Sequence, residues 1–138
     1  MNNELPYILL ADDDPDDLNT FLQAFSELNP HASVQTVTDG QELFDFLDSC
    51  NPDELPLLIL LDYKMPIVSG PEVLQRLASH PEHAHIPKVV WSTSERPQDI
   101  ENCVRLGAAG YFPKPASTSE LGDLIQKIEL IYTAQLQH

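Results

Sequence analysis

Cationic side chains are scarce in this chain: 7 lysines and arginines stand against 22 aspartates and glutamates, a formal net charge of −15. A nucleic-acid backbone would be repelled by such a surface, which argues against nucleic acid as a partner. Cysteine is nearly absent as well. Cys50 and Cys103 can build neither a disulfide framework nor a zinc site of familiar spacing, so both read as reduced thiols, Cys103 buried on a helix face. No apolar run approaches the ~20 residues needed to span a bilayer, and the N-terminus lacks a basic segment followed by an apolar one. These absences lead to the expectation of a cytoplasmic protein with no membrane partner. No repeat, low-complexity segment or interdomain linker interrupts the 138 residues. One domain over 1–138 is expected, with its core at about 5–131 and no effector domain.

What is present is alternation. Tyr7 to Ala11 and Leu57 to Leu61 are continuous apolar runs, Val34 to Val37 a weaker one, and Val89 to Trp91 and Ala109 to Phe112 add two short strands. Continuous apolar strands suit a parallel sheet covered on both faces. Helical spacing fills the intervals. Asp14-Pro15-Asp16-Asp17 offers an N-cap, a proline at the first helical position and acids in the first turn, followed by a stripe of Leu18, Phe21, Leu22 and Phe25. Three stretches fit the capping box, Ser or Thr followed three residues later by Glu or Gln: Thr38 to Gln41, Ser69 to Glu72 and Ser117 to Glu120. A further helix from about Pro97 to Leu106 is ended by Gly107. Five β-α units in series predict an α/β doubly wound sheet with helices on both faces. The stretches Cys50 to Pro56 and His80 to Pro87 read as helix-to-strand loops.

In an open α/β sheet, ligands bind beyond the carboxyl ends of the strands. Asp12, Asp13 and Asp14 follow the first strand, Asp62 the third, Ser92 and Thr93 the fourth, and Lys114 the fifth. Four loops thus bring carboxylates, hydroxyls and one lysine to a single rim. Two carboxylates about 4 Å apart repel by roughly 4 kcal/mol at an effective dielectric of 20, so Asp12, Asp13 and Asp62 call for a cation among them. Hard oxygen donors with open positions suit Mg²⁺. Such an ion would orient an arriving phosphoryl group for attack by a carboxylate, with Lys114 and the Ser92 hydroxyl contacting its oxygens. Taken alone, Asp12 and Asp13 fit a metal site and helix-start charges equally well. Asp14, Asp16 and Asp17 read as caps and solubility charges. Trp91 reads as core packing, and His80, His83 and His85 as a solvated loop rather than a second metal site.

The set resembles the receiver domains of response regulators, from Tyr7 to Leu130. The marks are LLADDDPDD after the first strand, LLDYKMP after the third, VVWSTS after the fourth and YFPKP after the fifth. The resemblance implies a flavodoxin-like five-stranded parallel sheet of order 2-1-3-4-5. It also implies Asp62 as phosphoacceptor, with Mg²⁺ held by Asp12, Asp13, Asp62 and the backbone carbonyl of Lys64. Ser92 and Lys114 contact the phosphoryl group, and Ser92 and Tyr111 act as the switch pair, the Tyr111 ring moving inward. Lys114-Pro115 falls where the family carries a cis peptide, and Lys64 and Thr93 flank the acyl phosphate and tune its lifetime. Ser92 stands where threonine is common and keeps the hydroxyl.

By this resemblance the partners are a sensor histidine kinase or histidine phosphotransfer protein and a separate downstream protein target. The chain itself is a monomer or weak homodimer and a switch rather than an enzyme. DDDPDD also resembles a subgroup of single-domain receivers, some of which partner phytochrome-type kinases. Two rival readings fit the residues less well. A haloacid-dehalogenase-type phosphatase needs a second acid two residues after its nucleophilic aspartate, where Lys64 stands. A phosphorylation-independent interaction module would have no use for the retained Asp12, Asp13, Asp62, Ser92 and Lys114.

Overall fold

A computed structural model describes residues 6–136; Leu5, the expected start of the core, lies outside the described residues. The elements alternate in chain order: β1 (Tyr7–Ala11), α1 (Pro15–Leu28), β2 (Ser33–Val37), α2 (Gly40–Ser49), β3 (Ile59–Asp62), α3 (Gly70–Ala78), β4 (Lys88–Ser92), α4 (Pro97–Arg105), β5 (Gly110–Pro113) and α5 (Thr118–Leu136). The five strands form one sheet in the order β2-β1-β3-β4-β5, and every pairing is parallel. The doubly wound flavodoxin-like architecture expected from the alternating pattern is therefore the one observed.

Successive strand residues point to opposite faces, so a strand covered on both sides must be apolar at every position. In β1, Ile8 and Leu10 join Phe21 and Phe25 of α1 and Leu124 and Ile128 of α5. Their neighbours Leu9 and Ala11 join Leu43 of α2, Val73 and Leu77 of α3 and Cys103 of α4. Helices α1 and α5 thus cover one face, and α2, α3 and α4 the other. The Phe21 ring stacks on Phe25 at 5.7 Å and meets Trp91 edge-on at 5.6 Å, joining α1 to β4.

Helix starts follow the sequence signals with small shifts. Asp14 caps α1, its carboxylate accepting from the amides of Asp16 and Asp17. At α2 the cap is Asp39 rather than Thr38: Asp39 accepts from the Glu42 amide at 2.8 Å, and Glu42 accepts from the Thr38 amide at 2.9 Å. The motif moves by one residue because a carboxylate is a stronger acceptor than a hydroxyl. Ser69 caps α3, and Ser117 accepts from the Glu120 amide at 3.1 Å. Gly107 closes α4 with φ of 104°, a left-handed conformation that glycine adopts without a Cβ penalty.

Strand β3 starts at Ile59 rather than Leu57. Leu57 and Leu58 still bond to β1, through Leu57 N to Tyr7 O at 2.8 Å and Leu9 N to Leu58 O at 3.0 Å. The loop before it holds a 3₁₀ turn, Pro52–Glu54, whose last carbonyl accepts from the Tyr7 hydroxyl at 2.6 Å.

The expectation of a solvated His80–His85 loop is corrected. The segment coils into a helical turn, with His83 N to His80 O at 3.0 Å and Ala84 N to His80 O at 2.9 Å. That turn rolls His83 inward to 4% exposure, and only His85 of the three stays exposed. Beneath it the ammonium of buried Lys88 donates to Ala84 O at 3.0 Å. Among the described residues no helix is long and apolar enough to cross a membrane.

Replacing Phe21, fully buried between two helices and β4, by alanine should lower unfolding free energy by about 3–5 kcal/mol. Denaturant titration followed by circular dichroism measures it.

Candidate functional site

The carboxyl ends of β1, β3, β4 and β5 meet at one rim, and the side chains there are built outward from the strands. Asp12 directly follows β1, its amide bonded to Val37 O at 3.1 Å. One carboxylate oxygen, Oδ1, accepts from the Asp14 amide at 2.9 Å. This side chain is fully buried. Asp13, next along, is exposed. Asp62 ends β3 at 7% exposure, with Oδ1 accepting from the Lys64 amide at 3.3 Å.

Backbone packing fixes where Asp62 sits. The Gly70 amide donates to Tyr63 O at 3.0 Å. A Cβ on Gly70 would lie 2.7 Å from the Asp62 carbonyl oxygen, so α3 can start this close to the rim only with glycine there.

Lys114 is the hub. Its amide donates to Ser92 O at 2.9 Å, which ties the start of the β5–α5 loop to the end of β4. Its ammonium lies 2.8 Å from Asp17 Oδ2, 2.9 Å from Asp12 Oδ2 and 3.2 Å from Asp62 Oδ2. The same ammonium sits 5.3 Å from the centroid of the Trp91 ring, so Trp91 is both core packing and the floor under the lysine. Asp17, expected from the sequence to be a solubility charge, is thus a partner of Lys114. The cap at Asp14 sets the first turn of α1 so that the side chain three residues on reaches the lysine, a contact that requires β5 to be in place.

Burial and the neighbouring Asp12 charge push the Asp62 carboxyl up to about 6. Burial also raises Asp12, against the pull of Lys114. For Lys114, burial alone would favour the neutral amine. The three carboxylates outweigh it and hold the ammonium charged well above its usual range.

Asp12, Asp13 and Asp62 each offer an oxygen within 4.8 Å of the other two. Three hard carboxylate donors, one of them exposed, fit Mg²⁺, which keeps several positions for water or phosphate oxygens. The ammonium of Lys114 offsets part of the negative charge these carboxylates carry.

Ser92 is 2% exposed, and its Oγ accepts from the Ser94 amide at 2.9 Å. The Tyr111 hydroxyl donates to Ser94 O at 2.9 Å, and its ring meets Tyr63 edge-on at 6.3 Å. Sequence reasoning missed the group behind them. Asp99, 5% exposed, accepts from Tyr63 OH at 2.8 Å, Ser94 Oγ at 2.6 Å and Arg96 Nε at 3.0 Å. Those donors, led by Ser94 and Arg96, hold its carboxyl down at about 2. Ser94 and Arg96 come from the β4–α4 loop and Tyr63 from the start of the β3–α3 loop, 36 residues away, and no local pattern reveals that last contact. The side chains of Lys64 and Thr93 are exposed at the rim. The Lys114–Pro115 peptide is trans, not cis as the resemblance implied. Trans is the isomer an X–Pro bond favours by about 0.5–1 kcal/mol.

The sequence model of the family described as Response regulator receiver domain matches residues 8–126. The two-component response regulator ORR12 of Oryza sativa subsp. japonica is 29% identical over 123 residues, 89% of this chain and 98% of that protein. The crystal structure of the phosphorylated cyanobacterial phytochrome response regulator RcpA superposes with a TM-score of 0.83 at 31% identity, covering 96% of each chain. The Mn²⁺-bound form of response regulator Rcp1 gives 0.78 at 28% identity, over 90% of this chain and 91% of that one.

Two predictions follow from the charges. Asp62→Asn removes a buried charge held beside Asp12, so the metal-free protein at pH 7 should gain about 1–3 kcal/mol in urea unfolding. For Asp99 the folded pKa, about 2, lies below the ordinary aspartate value of 3.8. Its contribution is complete above about pH 4 and disappears as pH falls toward 2. The stability gap between wild type and Asp99→Asn should therefore close over that interval, as seen in unfolding curves recorded at stepped pH.

Proposed function

The chain belongs to the response regulator receiver family of two-component signalling, whose members act as switches rather than as classical enzymes. From that premise we propose that it accepts a phosphoryl group on Asp62 from a sensor histidine kinase or a histidine phosphotransfer protein. The observation that carries this reading is Lys114, whose ammonium touches Asp62 and Asp12 on a rim where three carboxylate oxygens lie within 4.8 Å of one another.

In the proposed cycle an Asp62 oxygen attacks the phosphorus of a phosphohistidine. The new O–P bond makes an acyl phosphate as the N–P bond breaks, and the electron pair returns to the donor's imidazole. Asp12, Asp13, Asp62 and the Lys64 carbonyl would hold Mg²⁺, which when bound neutralises charge on the phosphoryl oxygens. The description of Rcp1 as Mn²⁺-bound supports a divalent ion at such a site, and that of RcpA as phosphorylated supports the transfer.

Lys114 then shifts its donors from the carboxylates to a phosphoryl oxygen, where a charge-assisted bond replaces an ion pair. The Ser92 hydroxyl donates to another. To get there, Ser92 gives up its contact with the Ser94 amide, and Tyr111 releases Ser94 O as its ring moves inward. Phosphorylation thus biases a two-state equilibrium of the β4–α4 loop and the surface of α4, β5 and α5. Lys64 and Thr93, exposed beside Asp62, tune how readily water reaches the acyl phosphate, and hydrolysis resets the switch.

In this reading the protein works in the cytoplasm as a monomer or weak homodimer and signals to a separate protein target. Its charge of −15 argues against nucleic acid as that target. A kinase of the phytochrome type is a fitting donor, because RcpA is described as a phytochrome response regulator.

Incubation with acetyl phosphate and Mg²⁺, followed by intact mass at neutral pH, should add one phosphoryl group to wild type and none to Asp62→Ala. Equal labelling of Asp62→Ala would overturn the assignment of the acceptor. A folded wild type that takes no label would leave a phosphorylation-independent interaction module instead.

A further inference from the structure

At the opposite end of the sheet a second cluster of ligand-type side chains stands outside the phosphoryl-transfer reading. His80 and His83 lie in the helical turn after α3, three residues apart and so on one face of it. Asp48 stands in the last turn of α2. Helix C-termini and the loops after them gather at the amino ends of parallel strands, away from the rim that holds Asp12 and Asp62. One ligand atom from each of Asp48, His80 and His83 lies within 4.8 Å of the other two.

Three features suit this cluster to a cation. The two imidazole rings stack at 4.0 Å with their planes 6° apart. Two imidazoliums would repel in that arrangement, and burial together with His80 lowers the basicity of His83, leaving nitrogen lone pairs available. The Nδ1 atom of His80 is buried and has no hydrogen-bond partner among the described residues, a polar atom withdrawn from water with nothing in exchange. Finally, α2 carries no basic residue in its last turn, so the negative end of its dipole has no cation of its own there.

We propose that Asp48, His80 and His83 form a metal site for a borderline transition ion, with Zn²⁺ the favoured occupant. Two imidazole nitrogens and one carboxylate oxygen are a zinc-type donor set, unlike the all-oxygen set at the other rim. Tetrahedral zinc with bonds of about 2.0–2.1 Å needs ligand atoms roughly 3.4 Å apart, and water fills the fourth position. Splaying the stacked rings and turning the exposed Asp48 side chain bring the three atoms together. The ion then clips the end of α2 to the α3–β4 loop.

Zinc titration by calorimetry, with millimolar Mg²⁺ present throughout, tests the site. Wild type should take up one equivalent with micromolar affinity. Its melting temperature should rise on the order of 5–10 °C when free zinc reaches about 100 times the dissociation constant. Asp62→Asn should bind zinc as wild type does, which separates this site from the other rim. His80→Gln and Asp48→Asn should each weaken uptake at least tenfold. No uptake by wild type, uptake unchanged by both of those variants, or uptake lost in Asp62→Asn would each overturn the proposal.

Discussion

The ammonium of Lys114 among the carboxylates of Asp12, Asp17 and Asp62 is the contact on which the functional rim depends. Unit charges of like sign about 4 Å apart cost roughly 4 kcal/mol at an effective dielectric of 20, and the ammonium offsets that repulsion for three carboxylates at once. The compensation is incomplete. Asp62 is still pushed up to about 6, first by burial and then by Asp12, and Asp13 stands close by without contact to the lysine. A rim left partly uncompensated in this way favours further positive charge, which suits the metal ion and phosphoryl group of the proposed function.

The fold supplies the rim through close approach rather than through loop flexibility. Helix α3 starts against the backbone of Asp62 because Gly70 leaves room, and Lys114 is tied by its amide to the end of β4. Helices on both faces keep the strands buried, so the carboxylates emerge from a rigid, apolar layer. Rigid placement would matter for the proposed phosphoryl transfer, because in-line attack tolerates little error in the distance between nucleophile and phosphorus.

A second network connects this rim to the surface. Asp99 gathers Tyr63, Ser94 and Arg96, while Ser94 also engages Ser92 and Tyr111 through its backbone. Ser92 cannot turn toward a group on Asp62 without a change at Ser94, and Ser94 is bonded to α4 through Asp99. In the proposed switch, movement at the rim would pass by this chain of contacts to α4, and Tyr111 shares the same loop.

The sequence by itself determined the architecture and most of the rim. Apolar strands without polar alternation can only be buried on both faces, and acids, a serine and a lysine placed just after them must share one edge of a parallel sheet. Those are local facts, legible because strand period and helix caps are local physics. Tertiary structure decided what depends on separate elements meeting. Asp17 became a partner of Lys114 only when α1 and β5 were packed around Trp91. Asp99 was buried by donors from the loops after β3 and β4, and the coiling of the loop after α3 turned His83 inward beside Asp48. Charge pairing and burial are set by distances through space, and residues 97 positions apart, such as Asp17 and Lys114, share no pattern along the chain that would disclose them.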